Sequence, residues 1–186
     1  MKRLQYNSPV ILSFFFLSLL ALLLGHMTGG WTTAGLFSVY RSSLADPLTY
    51  IRFLGHVLGH ADLSHFLGNM LLLLVVGPPL EEKYGSRTLL IGMALTALVS
   101  GVLQFICFPN SALLGASGIV FMLIMLASLA GMKDGRIPLT LILAAVLYLG
   151  QEVYAMVALR DNVANFMHLV GGVTGTVFGV VLAKRR

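Results

Sequence analysis

FMHLVGGVTGTVFG (residues 166–179) is an apolar run that carries a single ionisable side chain, His168, near its start. Glycines follow at Gly171, Gly175 and Gly179, at offsets of 3, 7 and 11 from the histidine. On an α-helix those offsets share one face. The apolar character extends over 164–183, about the 20 residues that a hydrocarbon core of roughly 30 Å demands of a spanning helix. A stripe of small residues lets a second backbone approach closely inside a membrane. The stretch therefore predicts a transmembrane helix pressed against another helix, with His168 at one end of the contact face.

The rest of the chain has the same character. Of 186 residues, 58% are hydrophobic and 10% charged, and mean hydropathy is +0.91. A soluble domain carries about 25% charged residues, so this composition belongs in a bilayer and leaves no room for a separate soluble domain. Six spans are expected, at about 9–27, 64–80, 88–108, 112–132, 137–158 and 164–183. Turn signals separate them, among them Gly77-Pro78-Pro79, Tyr84-Gly85-Ser86, Pro109-Asn110-Ser111 and Lys133-Asp134-Gly135. The first run follows Lys2 and Arg3 as a signal peptide would, but His26-Met27-Thr28 replaces a small-residue cleavage site, so an uncleaved helix is expected. The loop 28–63 is the one long connection. Its Leu48, Tyr50, Ile51, Phe53 and Leu54 suggest short helices lying partly in the interface.

The formal charge of +5 sits at the ends of apolar runs, which is how topology determinants are placed and not a nucleic-acid surface. With a cytosolic N-terminus, Lys2, Arg3, Lys83, Arg87, Lys133, Arg136, Lys184, Arg185 and Arg186 lie inside, against Arg41, Arg52 and Arg160 outside. Nine against three satisfies the positive-inside rule and puts both termini in the cytosol. The single Cys107 excludes an intramolecular disulfide.

In this topology the second, fourth and sixth spans all run inward from the outer surface. Each carries polar groups near its outer end: His65 and Asn69, Ser117, and His168. Ionisable groups in a membrane are costly, face the bundle interior and serve function. The glycine face below His168 needs a smooth partner, and Gly115-Ala116-Ser117-Gly118 opens the fourth span with small residues. That pairing would set the Ser117 hydroxyl beside the His168 imidazole, the arrangement of an activated nucleophile. Taken singly, each element has an ordinary reading: a serine bonding its own helix, a packing histidine, a packing stripe. Their coincidence at one depth does not.

These residues resemble the rhomboid family over roughly 52–179. His65-Phe66-Leu67-Gly68-Asn69 is similar to its HxxxN motif, Gly115-Ala116-Ser117-Gly118 to its GxSG, and His168 with Gly171 and Gly175 to its HxxGxxxG. His56, His60, Glu81 and Gly85-Ser86 look like further family positions, and Arg52 resembles the arginine of a first-loop Trp-Arg pair. The resemblance implies an all-α polytopic membrane protein with a six-helix rhomboid-like bundle, acting as an intramembrane serine endopeptidase. Ser117 and His168 would form the dyad. His65, Asn69 and the Ser117 N–H would form the oxyanion hole, and Gly115, Gly118, Gly171, Gly175 and Gly179 the packing surface. It implies transmembrane protein substrates within a lipid bilayer and a site open to the extracytoplasmic side; no cofactor and no metal are expected, and the small size and bare six-span core point to a cytoplasmic (inner) membrane location.

Two positions depart from the family pattern. Phe121 stands where well-studied bacterial relatives have a tyrosine, which removes a hydroxyl near the imidazole. Ile51 replaces the first-loop tryptophan, which predicts weaker loop anchoring. Gln151 and Glu152 fall where a substrate gate is expected. Two other readings remain: a rhomboid-like binder of transmembrane segments without catalysis, and a small transporter using the histidines as a proton relay. The second predicts an inverted repeat, and none is visible.

Overall fold

The computed structural model describes residues 5–130, 139–144, 146 and 162–183, with backbone only at 140, 141, 144 and 162–168. The chain is all-helical over this range. In order it forms α1 (Pro9–Met27), α2 (Trp31–Gly35), α3 (Pro47–Gly55), a 3-10 turn (His56–Leu58), α4 (Leu63–Tyr84), α5 (Ser86–Cys107), α6 (Ser117–Ala130), α7 (Leu139–Ala144) and α8 (Asn162–Ala183). Among the described residues α1, α4 and α5 are long and apolar enough to cross a membrane, so the protein is a multi-pass membrane protein. The expected fifth span, with Gln151 and Glu152, lies largely outside the described residues.

The helix starts have chemical causes. Asp62 accepts from the His65 N–H at 2.8 Å and caps α4. Asp46 does the same for α3 through Leu48 N–H, with Pro47 at the first helical position. The cap of α1 comes from far along the chain: the Glu81 carboxylate accepts from Val10 N–H at 2.9 Å and Ile11 N–H at 3.0 Å, and from the Ser86 hydroxyl at 2.7 Å. A carboxylate on two orphan donors at a helix N-terminus satisfies both hydrogen bonding and the macrodipole.

Two expected boundaries move. Gly77-Pro78-Pro79 is not a turn, because α4 continues through both prolines to Tyr84. Proline is tolerated in membrane helices where neighbours hold the segment. Here buried Leu80 and the Glu81 cap on α1 do so, and the chain reverses at Gly85, at φ +82°. The fourth span also does not begin at 112. Leu113 is extended and pairs with Val39 in an isolated antiparallel bridge, and helix begins only at Ser117.

Helix α6 is the central element, packed against α4, α5 and α8. Its Ile119, Met122, Leu123 and Leu126 are fully buried. Inside a bilayer such burial gains little from leaving water, so close packing must hold the bundle together. Three glycines show it. A Cβ on Gly77 would meet the Ile11 side chain, one on Gly92 the Phe178 ring, and one on Gly101 the Phe53 backbone.

The first loop is pinned by Arg52, only 5% exposed. Its Nε donates to Gly35 O at 2.7 Å, its Nη1 reaches Asp46 Oδ2 at 3.2 Å, and the guanidinium lies over the Tyr40 ring at 4.7 Å. Ile51 is exposed and takes no part. The anchoring expected to weaken without a tryptophan is carried by the arginine.

Candidate active site

Ser117 is the first residue of α6 and half-buried. The first N–H groups of a helix have no intrahelical partner and lie at the positive end of its dipole, so the Ser117 N–H suits a developing negative charge. The preceding residues cannot be helical. Gly115 sits at φ +122°, its N–H donates to His56 O at 2.9 Å, and Leu113 exchanges two backbone bonds with Val39, both 2.9 Å.

His65 and Asn69 lie one turn apart on α4 and face this segment. A Cβ on Gly115 would stand 2.8 Å from His65 Nε2 and 3.9 Å from Asn69 Nδ2. Asn69 Nδ2 donates to His65 O at 3.2 Å, which uses one of its two amide hydrogens. His65, Gly68, Asn69, Ser117, Val120 and Phe121 line one cavity of about 440 Å³. Serine, imidazole and carboxamide thus share a space large enough for a peptide segment. Phe121 is buried on its wall.

His168 belongs to α8; its side chain lies outside the described residues. The position of its backbone follows from the helix contact. A Cβ on Gly171 would strike the Gly118 carbonyl, and one on Gly175 the Met122 backbone. Both pairs keep one offset (171 − 118 = 53, 175 − 122 = 53), so α6 and α8 run parallel in a fixed register. Carried back to 168, the offset reaches residue 115, two before Ser117. Gly179 continues the contact against Leu129 and Leu126.

Behind the site lies a buried polar layer that the sequence reading did not assemble. His56, 1% exposed, faces Arg52 O at 3.1 Å through Nδ1 and Ser100 Oγ at 3.2 Å through Nε2. Burial lowers its pKa to about 4, so the ring is neutral. A carbonyl can only accept, so Nδ1 carries the hydrogen; on the Nε2 side the Ser100 hydroxyl also lies 2.8 Å from Thr96 O, to which it donates. Gln104 is fully buried and donates to Ser111 O and Oγ, both at 3.1 Å. The spacing of Thr96, Ser100 and Gln104, four residues apart in an apolar helix, was the available signal.

A Rhomboid domain model matches residues 47–185. Rhomboid-related protein 1 of Caenorhabditis elegans is 36% identical over 143 residues, 70% of this chain and 39% of the relative. Rhomboid protease GlpG of Pectobacterium atrosepticum is 31% identical over 128 residues, 67% of this chain and 45% of the relative. Mouse rhomboid-related protein 2 is 37% identical over 90 residues, 43% of this chain and 29% of the relative. The chain matches less than half the length of each of them.

Proposed function

The chain belongs to the rhomboid family, and from that premise we propose that it is an intramembrane serine protease with a Ser117–His168 dyad. The observation that carries the reading is the backbone contact of Gly171 with Gly118. It supports a histidine three residues before one glycine meeting a serine one residue before the other.

In this mechanism the Ser117 hydroxyl attacks the scissile carbonyl of a transmembrane substrate. His168 accepts its proton and passes it to the leaving amine, as a general base and then acid. The oxyanion is held by the Ser117 N–H and the side chains of His65 and Asn69. Fixed donors at low dielectric outperform water, and loss of one costs about 10²–10³ in rate. Water then attacks the acyl-serine with His168 again as base. The protein would have six spans with both termini cytosolic in the cytoplasmic membrane, the site opening to the extracytoplasmic side.

A fluorophosphonate probe on the detergent-solubilised protein tests this. The wild type is expected to be tagged at Ser117, with no tag on Ser117→Ala or His168→Ala. A tag that persists in Ser117→Ala refutes the assignment.

A further inference from the structure

Far from Ser117, at the other end of α4, lies a polar cavity of about 580 Å³ that none of the steps above uses. Gln5, Asn7, Ser8, Glu81, Glu82 and Ser86 line it. Glu81 is 16 residues beyond His65 (81 − 65), about 24 Å of helix at 1.5 Å per residue. Its carboxylate is taken up by the start of α1 and by Ser86. Glu82 is exposed and has no ion-pair partner among the described residues. Ser8 is 2% exposed, yet its hydroxyl does not cap α1 and has no hydrogen-bond partner among the described residues. A buried polar group left without a partner costs free energy comparable to a lost hydrogen bond. The open groups of this cavity, a carboxylate and a hydroxyl, both call for a donor.

The same place has an apolar side. Ser86 also lines a groove of about 460 Å³ between α1 and α5, and Pro9 and Val10 of that groove follow Ser8 directly. On α5 the groove extends from Ser86 to Ala97, 11 residues (97 − 86), or about 17 Å of helix. One leaflet of a 30 Å hydrocarbon core is about 15 Å thick, so the groove is as long as one leaflet. Leu17, Leu54 and Leu90 on its rim are about half exposed, so it opens sideways towards lipid. Where cavity and groove meet, the start of α5 is open to an anion. Gly85 supplies no side-chain cap there, and exposed Arg87 follows Ser86. Orphan N–H groups and the macrodipole at a helix start favour a phosphate.

We propose that cavity and groove together bind one phospholipid whose head group carries a primary ammonium, as phosphatidylethanolamine does. An acyl chain lies in the groove between α1 and α5. The phosphate meets the start of α5 and Arg87, and the ammonium enters the polar cavity and donates to Glu82 and to the Ser8 hydroxyl. Charge and donor count select this head group. A primary ammonium offers three N–H donors, and a quaternary ammonium offers none. An anionic lipid without an ammonium leaves Glu82 unpaired and sets a like charge near it.

Native mass spectrometry of the detergent-solubilised full chain tests this, after equilibration with equal amounts of dioleoyl phosphatidylethanolamine, phosphatidylcholine and phosphatidylglycerol. The wild type is expected to retain one lipid, with phosphatidylethanolamine about tenfold over each of the others, the scale of one charge-assisted hydrogen bond. Glu82→Gln should still retain one lipid but lose the preference over phosphatidylcholine, because the chain and phosphate contacts remain. Ala94→Phe fills the groove from an exposed position and should lose all three lipids. Leu98→Phe, exposed on the same helix outside the groove, should bind as the wild type does. The competition in the wild type decides the head group without any variant: equal retention of the three lipids, or a preference for phosphatidylglycerol, overturns the inference. Wild-type retention by Ala94→Phe, or an unchanged preference in Glu82→Gln, overturns it as well.

Discussion

Gly171 and Gly118 touch backbone to backbone: any Cβ on Gly171 would collide with the Gly118 carbonyl. The contact sets how near α8 can come to the start of α6. Gly171→Ala is expected to push the helices apart and cost about 10²-fold in proteolysis, the scale at which small misplacements of reacting groups act. Val173→Leu, on an exposed position of the same helix, should leave it unchanged. A peptide-cleavage assay on both variants, with wild type as reference, decides the matter; equal rates for the two would remove the contact from the mechanism.

Arg52 does for the first loop what the missing tryptophan was expected to do. Its fork bonds Gly35 O and Asp46 while its face covers Tyr40. A lysine cannot reproduce a planar fork. Arg52→Lys is expected to lose about 1–3 kcal/mol of stability through unmet buried bonds, read as a lower thermal midpoint in detergent. Activity should fall with it, because the same loop supplies Val39 and His56 O to the segment before Ser117.

Much of this architecture could be read from residue patterns, and the exceptions share a cause. The 19-residue α1 coincides with its apolar run over 9–27, because composition alone dictates a membrane helix. The spacing of His65 and Asn69 on one helical face likewise puts both on the cavity wall at Ser117. What could not be read depends on partners distant in the chain. Ala112-Leu113-Leu114 looks helical, yet Val39, 74 residues earlier (113 − 39), holds Leu113 extended. Pro78-Pro79 looks like a turn, yet Glu81 is tied to the N-terminus of α1 about 70 residues away. His60 Nε2 is buried without a hydrogen-bond partner, a fact of burial that no local pattern contains.

Gly115 combines a backbone at φ +122° with contact to His65. A side chain there meets strain of order 1–3 kcal/mol and displaces an imidazole proposed to hold the oxyanion. Gly115→Ala is expected to lower the thermal midpoint and to slow fluorophosphonate labelling of Ser117. Labelling at the wild-type rate would show that neither the turn nor His65 needs this glycine.

Two neutral buried histidines give the fold an acid limit. His56 and His60 both fall from an ordinary 6.5 to about 4, chiefly through burial. Between those values the unfolded chain takes up protons at both positions and the folded chain does not, so stability rises with pH across that window. Their contribution is complete above about pH 6.5 and is lost as pH falls through 4. The thermal midpoint in detergent should therefore be flat above neutrality and decline from pH 6.5 towards 4. His56→Asn keeps a donor for Arg52 O but cannot charge, and His60→Gln cannot charge either. Combined, they should leave a shallower decline from the remaining titratable groups, at some cost in absolute stability. An unaltered slope in the double variant would mean that these imidazoles do not set the acid limit.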